Sequence, residues 1–164
     1  MKNNTDYLFN SGISNFKQNK YFDAIQNFKS AYKGYFLRNN LKKSGQSLNK
    51  IGEAYLLSHQ FKNALIFLLK GYVFRKEHED KEGILESLNS LGEVYYYIDN
   101  FDKSYKYYKI CINKSEILKN DYFLATALKN RGWLKFKTKK PISSVLKDLN
   151  KALNIAEKLK SKRL

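Results

Sequence analysis

The chain has 164 residues, a formal net charge of +16, 43% hydrophobic residues, 15% aromatics and one proline. That apolar content can offset the ordering entropy of a core, which excludes a disordered chain, and so few prolines and glycines argue against a hairpin-rich β fold. Cys111 is alone, so no internal disulfide forms, and residues 1–20 hold no apolar run of signal-peptide or membrane-span length; the expectation is a cytoplasmic protein.

One pattern recurs at an interval of 40 residues: Gly12, Gly52, Gly92 and Gly132, each preceded four residues earlier by Leu8, Leu48, Leu88 and Leu128. Self-similarity at a fixed period is the mark of a repeat architecture. The expected fold is all-α, one domain over 1–164, with helix-turn-helix repeats at about 4–40, 41–80, 81–120 and 121–161.

In the first repeat, Thr5 or Asn4 is placed to cap a helix through Tyr7, Leu8, Gly12 and Phe16. A second helix opens at Tyr21 and carries Ala24, Ile25, Phe28, Ala31 and Tyr35 on one face. The second repeat has Leu48, Ile51, Gly52 and Tyr55, a turn at 58–60, then Phe61, Ala64, Leu68 and Tyr72. The third has Leu88, Leu91, Gly92 and Tyr95, a turn at Asp99-Asn100, then Phe101, Ser104, Tyr108 and Cys111. The fourth departs most: Lys135 stands at the tyrosine position, one extra residue precedes Val145, and Pro141 is expected at the first helical position, where its missing N–H costs nothing. Four glycines inside helices each cost about 1 kcal/mol against alanine. Close approach of the paired helix is the expected reason, with Ala24, Ala64 and Ser104 as the small residues facing them and Tyr21, Phe61, Phe101 and Pro141 wedging the turns.

The chemistry-bearing residues are scattered. His59, His78 and Cys111 have no metal-ligand spacing, so no metal or other cofactor is expected. Glu53 and Glu93 share a register, but adjacent repeats would hold them about 10 Å apart with no nucleophile nearby, and every repeated glycine lies in a helix rather than a phosphate loop. The chain is therefore expected not to be an enzyme. More than half of the excess positive charge follows residue 120, which keeps nucleic-acid association through the final repeat as the alternative reading. Only four of the 31 basic residues are arginine, the residue suited to bidentate phosphate and base contacts, and that weighs against it.

Ile51-Gly52-x2-Tyr55 with Ala64-x3-Leu68, Leu91-Gly92-x2-Tyr95 with Ser104-x3-Tyr108, and Ala24-x3-Phe28 resemble the tetratricopeptide repeat pattern over nearly the whole chain. The 40-residue period is longer than usual, leucine fills the tryptophan position, and the terminal proline is absent; the period and the Leu-Asn-x-Leu-Gly phrase resemble the variant of kinesin light chain and Rap-type peptide sensors. The resemblance implies a right-handed α-solenoid whose first helices line a groove that binds a peptide segment of a partner, as an adaptor, a scaffold or the sensory module of a regulator. The registers turned to that groove fall on Phe9, Ile13 and Phe16; Asn49, Glu53 and Leu56; Asn89, Glu93 and Tyr96; and Lys129, Trp133 and Phe136. In this reading Asn49 and Asn89 clamp peptide amides or else bond between neighbouring helices, the aromatics supply pockets, and Glu53 and Glu93 favour basic ligand residues. The final helix keeps Leu146, Leu149, Leu153, Ile155 and Leu159, which leads to the expectation of self-association, a docked partner or further chain at that end.

Overall fold

A computed structural model describes residues 2–161 and consists there of eight helices and no strand. They are α1 (Lys2–Lys17), α2 (Tyr21–Leu37), α3 (Leu41–Leu57), α4 (Phe61–Glu77), α5 (Lys81–Tyr97), α6 (Phe101–Ile117), α7 (Asp121–Lys137) and α8 (Ile142–Ser161). Two compact units divide the chain, Met1–Ser90 and Leu91–Leu164, and the division falls inside α5. In the first unit α1 packs on α2, α2 on α3 and α3 on α4; in the second, α6 packs on α7 and α7 on α8.

All seven reversals use one device. Asn19, Asn39, His59, Glu79, Asp99, Lys119 and Lys139, one every twenty residues, adopt φ between 52° and 59°. The next N–H then bonds back to the carbonyl five residues earlier, as in Lys20 to Asn15, Asn40 to Tyr35, Asn100 to Tyr95 and Lys140 to Lys135, each 2.9 Å. This is the Schellman closure of a helix C-terminus. The same residue opens the next helix, and Asn40, Asp80, Asn100 and Asn120 each accept a backbone N–H three residues on, which satisfies a donor the first turn would otherwise leave open.

The repeated glycines do admit close approach, although the residues that exploit it are large. A Cβ at Gly12, Gly52, Gly92 or Gly132 would come within 2.6 Å of Phe28, Leu68, Tyr108 or Leu149 respectively. Each glycine is thus the socket for a side chain 16 residues on, or 17 in the last hairpin. Ala24, Ala64 and Ser104 are fully buried beside these contacts, and the Ser104 hydroxyl donates to the Gly92 carbonyl at 2.7 Å. Two local expectations change. Helix α1 begins at Lys2, so Thr5 lies inside it, buried against Gly34, and caps nothing. Helix α8 begins at Ile142, with Pro141 one residue outside it accepting from Ser144 and Val145.

Candidate functional site

In the first unit the registers expected to face a ligand are largely spent on the protein itself. Asn49 is wholly buried: its amide donates to Glu53 at 2.8 Å and to Ser90 at 3.3 Å, while its carbonyl accepts from Ser87 at 3.1 Å. Through these bonds Asn49 ties α3 to α5, which is the second of its two expected roles. Leu56 is buried as well, and Phe9, Ile13 and Phe16 pack half-buried against the core formed by Ala24, Ile25, Phe28, Ile51 and Ala54. The Glu53 carboxylate is neutralised by Lys50 at 2.6 Å, and Lys50 also reaches Glu86 at 3.4 Å. Burial works against the Lys50 charge, but these two carboxylates outweigh it and hold its pKa above the ordinary lysine value.

Glu86 in turn pairs with Arg75 at 2.7 Å. Arg75 is buried, and its guanidinium also donates to the Gly83 carbonyl and the Ser87 hydroxyl, with Asp80 3.6 Å from Nε. One network thus runs from Asp80 through Arg75, Ser87 and Asn49 to Glu53 and Lys50. The sequence reading missed it because its members sit on three helices and the α4–α5 reversal. Asn89, next to Ser87 and Ser90, is half-buried.

The second unit is where the expected residues meet. Glu93 and Tyr96 of α5 and Trp133 of α7 line one cleft of about 200 Å³, together with Tyr97, Tyr108 and Asn130. Tyr97, Trp133 and Phe136 are 46%, 54% and 59% exposed, with Trp133 and Phe136 edge-to-face at 6.1 Å. Burial, with Glu93 close by, pushes the Tyr108 hydroxyl far above the usual phenol range, so it stays a neutral hydrogen-bonding group. Lys129 is exposed one turn before Trp133 on α7. Three of the five registers expected in this unit, Glu93, Tyr96 and Trp133, are thus brought together, while Lys129 and Phe136 flank them. Tyr97, Tyr108 and Asn130 escaped a reading that allowed only first-helix positions one turn apart.

The fourth hairpin contains a buried ion triad. Arg131 grips Asp148 with two bonds of 2.7 and 2.8 Å, and Lys135 adds a third contact at 2.9 Å while donating to the Ser144 carbonyl. Burial raises the Asp148 pKa, yet the bonds to Arg131 and Lys135 outweigh it and hold the carboxyl below its ordinary value. Two of the four arginines, Arg75 and Arg131, are therefore committed to internal carboxylates. Cys111 is buried, its thiol pushed up to about 11 by burial, so it is a poor nucleophile at neutral pH. Among the described residues no three His, Cys, Asp or Glu side chains are grouped to hold a metal, and no helix is long and apolar enough to cross a membrane.

Helical hairpins at a constant repeat, socketed glycines and a uniform reversal define an all-α solenoid of the tetratricopeptide-like class. No family model and no curated protein sequence matches the chain, whereas solved structures do. It is similar to the apo form of RapI (TM-score 0.83, 17% identity), covering 96% of this chain and 57% of that one. BtubC (BKLC) from P. vanneervenii aligns with TM-score 0.79 and 12% identity over 95% of this chain and 64% of its own. Aspartyl phosphate phosphatase F from Bacillus subtilis aligns with TM-score 0.80 and 18% identity over 95% of this chain and 41% of its own. The chain thus spans less than two thirds of each, and at these identities the likeness is one of fold.

Proposed function

We propose that the chain is a protein-interaction module, without chemistry of its own, that holds a peptide segment of a partner in the α5–α7 cleft of its second unit. The observation that carries this reading is the exposed aromatic group of Tyr97, Trp133 and Phe136 beside a cleft floored by Tyr108 and edged by Glu93. Exposed aromatics clustered at a pocket are the composition of binding hot spots, whereas single exposed apolar residues are ordinary surface. The fold likeness to an apo-form Rap protein and to a kinesin-light-chain-like protein supports an adaptor, scaffold or sensory role. Basic-residue selection rests on Glu93, the carboxylate that lines this cleft. The nucleic-acid alternative is weakened by the internal commitment of Arg75 and Arg131.

Trp133 is the only tryptophan, so its emission reports directly on the cleft. Peptides carrying an apolar residue beside a lysine or arginine should shift that emission saturably. Trp133→Ala and Tyr96→Ala should each weaken capture of the same peptides, followed by calorimetry, by about tenfold or more with unchanged melting. Peptide binding that is indifferent to both substitutions, or an oligonucleotide that binds tightly and loses affinity steeply with salt, would overturn the reading.

A further inference from the structure

The second unit contains a larger cavity, of about 880 Å³, that shares no lining residue with the aromatic cleft. One wall comes from the α5–α6 reversal and carries Asp99 and Asp102 with Phe101 and Tyr105. The other comes from the α7–α8 reversal and carries Lys135 and Lys140 with Leu134 and Pro141.

Repeat register shows what has been exchanged to make it. In the second and third hairpins Tyr55 stacks on Phe67 and Tyr95 on Tyr107, with ring centroids 5.4 Å apart in both pairs. Allowing for the extra residue before α8, the same two places in the fourth hairpin hold Lys135 and Asp148, 2.9 Å apart. Buried Ile51 and Leu91 correspond to Arg131, and the helix-opening rings Phe61 and Phe101 to Ile142, with Pro141 the extra residue before it. Three apolar positions have thus become an ion triad, and one of the replacements, Lys135, lines the cavity together with the inserted Pro141. A buried triad is generally no more stabilising than the apolar packing it displaces. A local rule broken without a gain in stability is where a functional site is to be sought.

The triad has two cations and one anion, so its cavity side is cationic, and Lys140 adds to it. Asp99 and Asp102 make the facing wall anionic. We propose that this cavity binds a small zwitterionic ligand of amino-acid to dipeptide size. Its carboxylate meets Lys135 and Lys140, its ammonium meets Asp99 and Asp102, and an apolar side chain lies against Phe101, Tyr105 and Leu134. The volume falls within the range of small-molecule sites, and convergent polar groups among apolar ones are their usual lining.

The test is calorimetric titration of the full chain with free-ended dipeptides containing Phe, Leu or Tyr, alongside the N-acetylated and C-amidated forms. Free-ended dipeptides should bind, and blocking either end should weaken binding about tenfold or more, the loss of one charge-assisted hydrogen bond. Lys140→Gln and Asp102→Asn, both at exposed positions that leave the triad intact, should weaken the free forms similarly and leave melting unchanged. Lys135→Met, which keeps Asp148 paired with Arg131, should abolish binding. The proposal is overturned if no member of the panel binds at about 10 mM, a concentration that would reveal even the weakest specific site. Blocked forms binding as well as free ones, or acetate or phosphate alone competing equally with a dipeptide, would also overturn it, the latter marking a simple anion site.

Discussion

At the scale of single residues, Asn49 and Asp148 are groups whose solvation has been exchanged entirely for protein partners. Asn49→Ala removes three hydrogen bonds and leaves Ser87, Ser90 and Glu53 partly unsatisfied in a buried place. Leaving such groups unpaired costs about 1–3 kcal/mol. We expect Asn49→Ala to lower unfolding stability by that amount in urea titrations; a variant as stable as wild type would refute the tie between α3 and α5. Asp148 gives a pH dependence. Its folded pKa lies below the unfolded value, so the unfolded chain takes up the proton first as pH falls. The contribution is complete above the unfolded pKa of about 4 and is lost as pH drops through the folded value. Asp148→Asn should accordingly be destabilised at pH 7, with the gap to wild type narrowing toward pH 3. A deficit that stays constant over that window would exclude an ionised Asp148 as its source.

Among the helices, the recurring decision is how each one stops. A non-glycine residue in the left-handed region costs about 1–2 kcal/mol. Asparagine and aspartate tolerate it best, which suits Asn19, Asn39 and Asp99, whereas Lys119 and Lys139 gain nothing from it. Lys119 is exposed, and Lys119→Gly should raise stability by about 0.5–1 kcal/mol after allowing for the greater freedom of glycine in the unfolded chain. A lower melting temperature for that variant would show that the reversal is held by something other than backbone conformation. The helices themselves were legible because their apolar period and the 40-residue recurrence agree, and Gly12, Gly52, Gly92 and Gly132 announced a close approach. What the sequence did not disclose is which side chain fills each socket. Phe28, Leu68, Tyr108 and Leu149 follow the glycines by 16 or 17 residues across a reversal, a separation at which pattern carries no direct information. Asn49 and Asn89 repeat in register, yet burial and hydrogen bonding at Asn49 depend on Ser87, Ser90 and Glu53, which only the packing of α3 on α5 brings together. Lys135 was visible as an anomaly at a tyrosine position. Its partner Asp148 was hidden by the one-residue shift before α8.

Over the whole molecule, a net charge of +16 sets the balance between repulsion and an apolar stripe that remains open. Ile142, Leu146 and Leu153 on α8 are 62%, 47% and 56% exposed, and Leu149 lies half-buried between the last two. Their spacing of three to four residues places them on one face of the helix, so they form one strip rather than isolated contacts. Such a strip favours association, while like charges on two copies oppose it. Repulsion acts at range and is screened within about 10 Å at 0.1 M salt and about 3 Å at 1 M, whereas contact between apolar side chains is not weakened by salt. Light scattering should therefore find a monomer at low ionic strength and a growing associated fraction as salt rises, with ANS fluorescence enhanced under the low-salt condition where the strip is open. Replacing Leu146 and Leu153 together by lysine should hold the chain monomeric at all salt concentrations and reduce the dye signal, with little effect on melting because both side chains are largely exposed already. If the wild-type chain stays monomeric through 1 M salt, or the double variant associates just as readily, the α8 strip is not a contact surface.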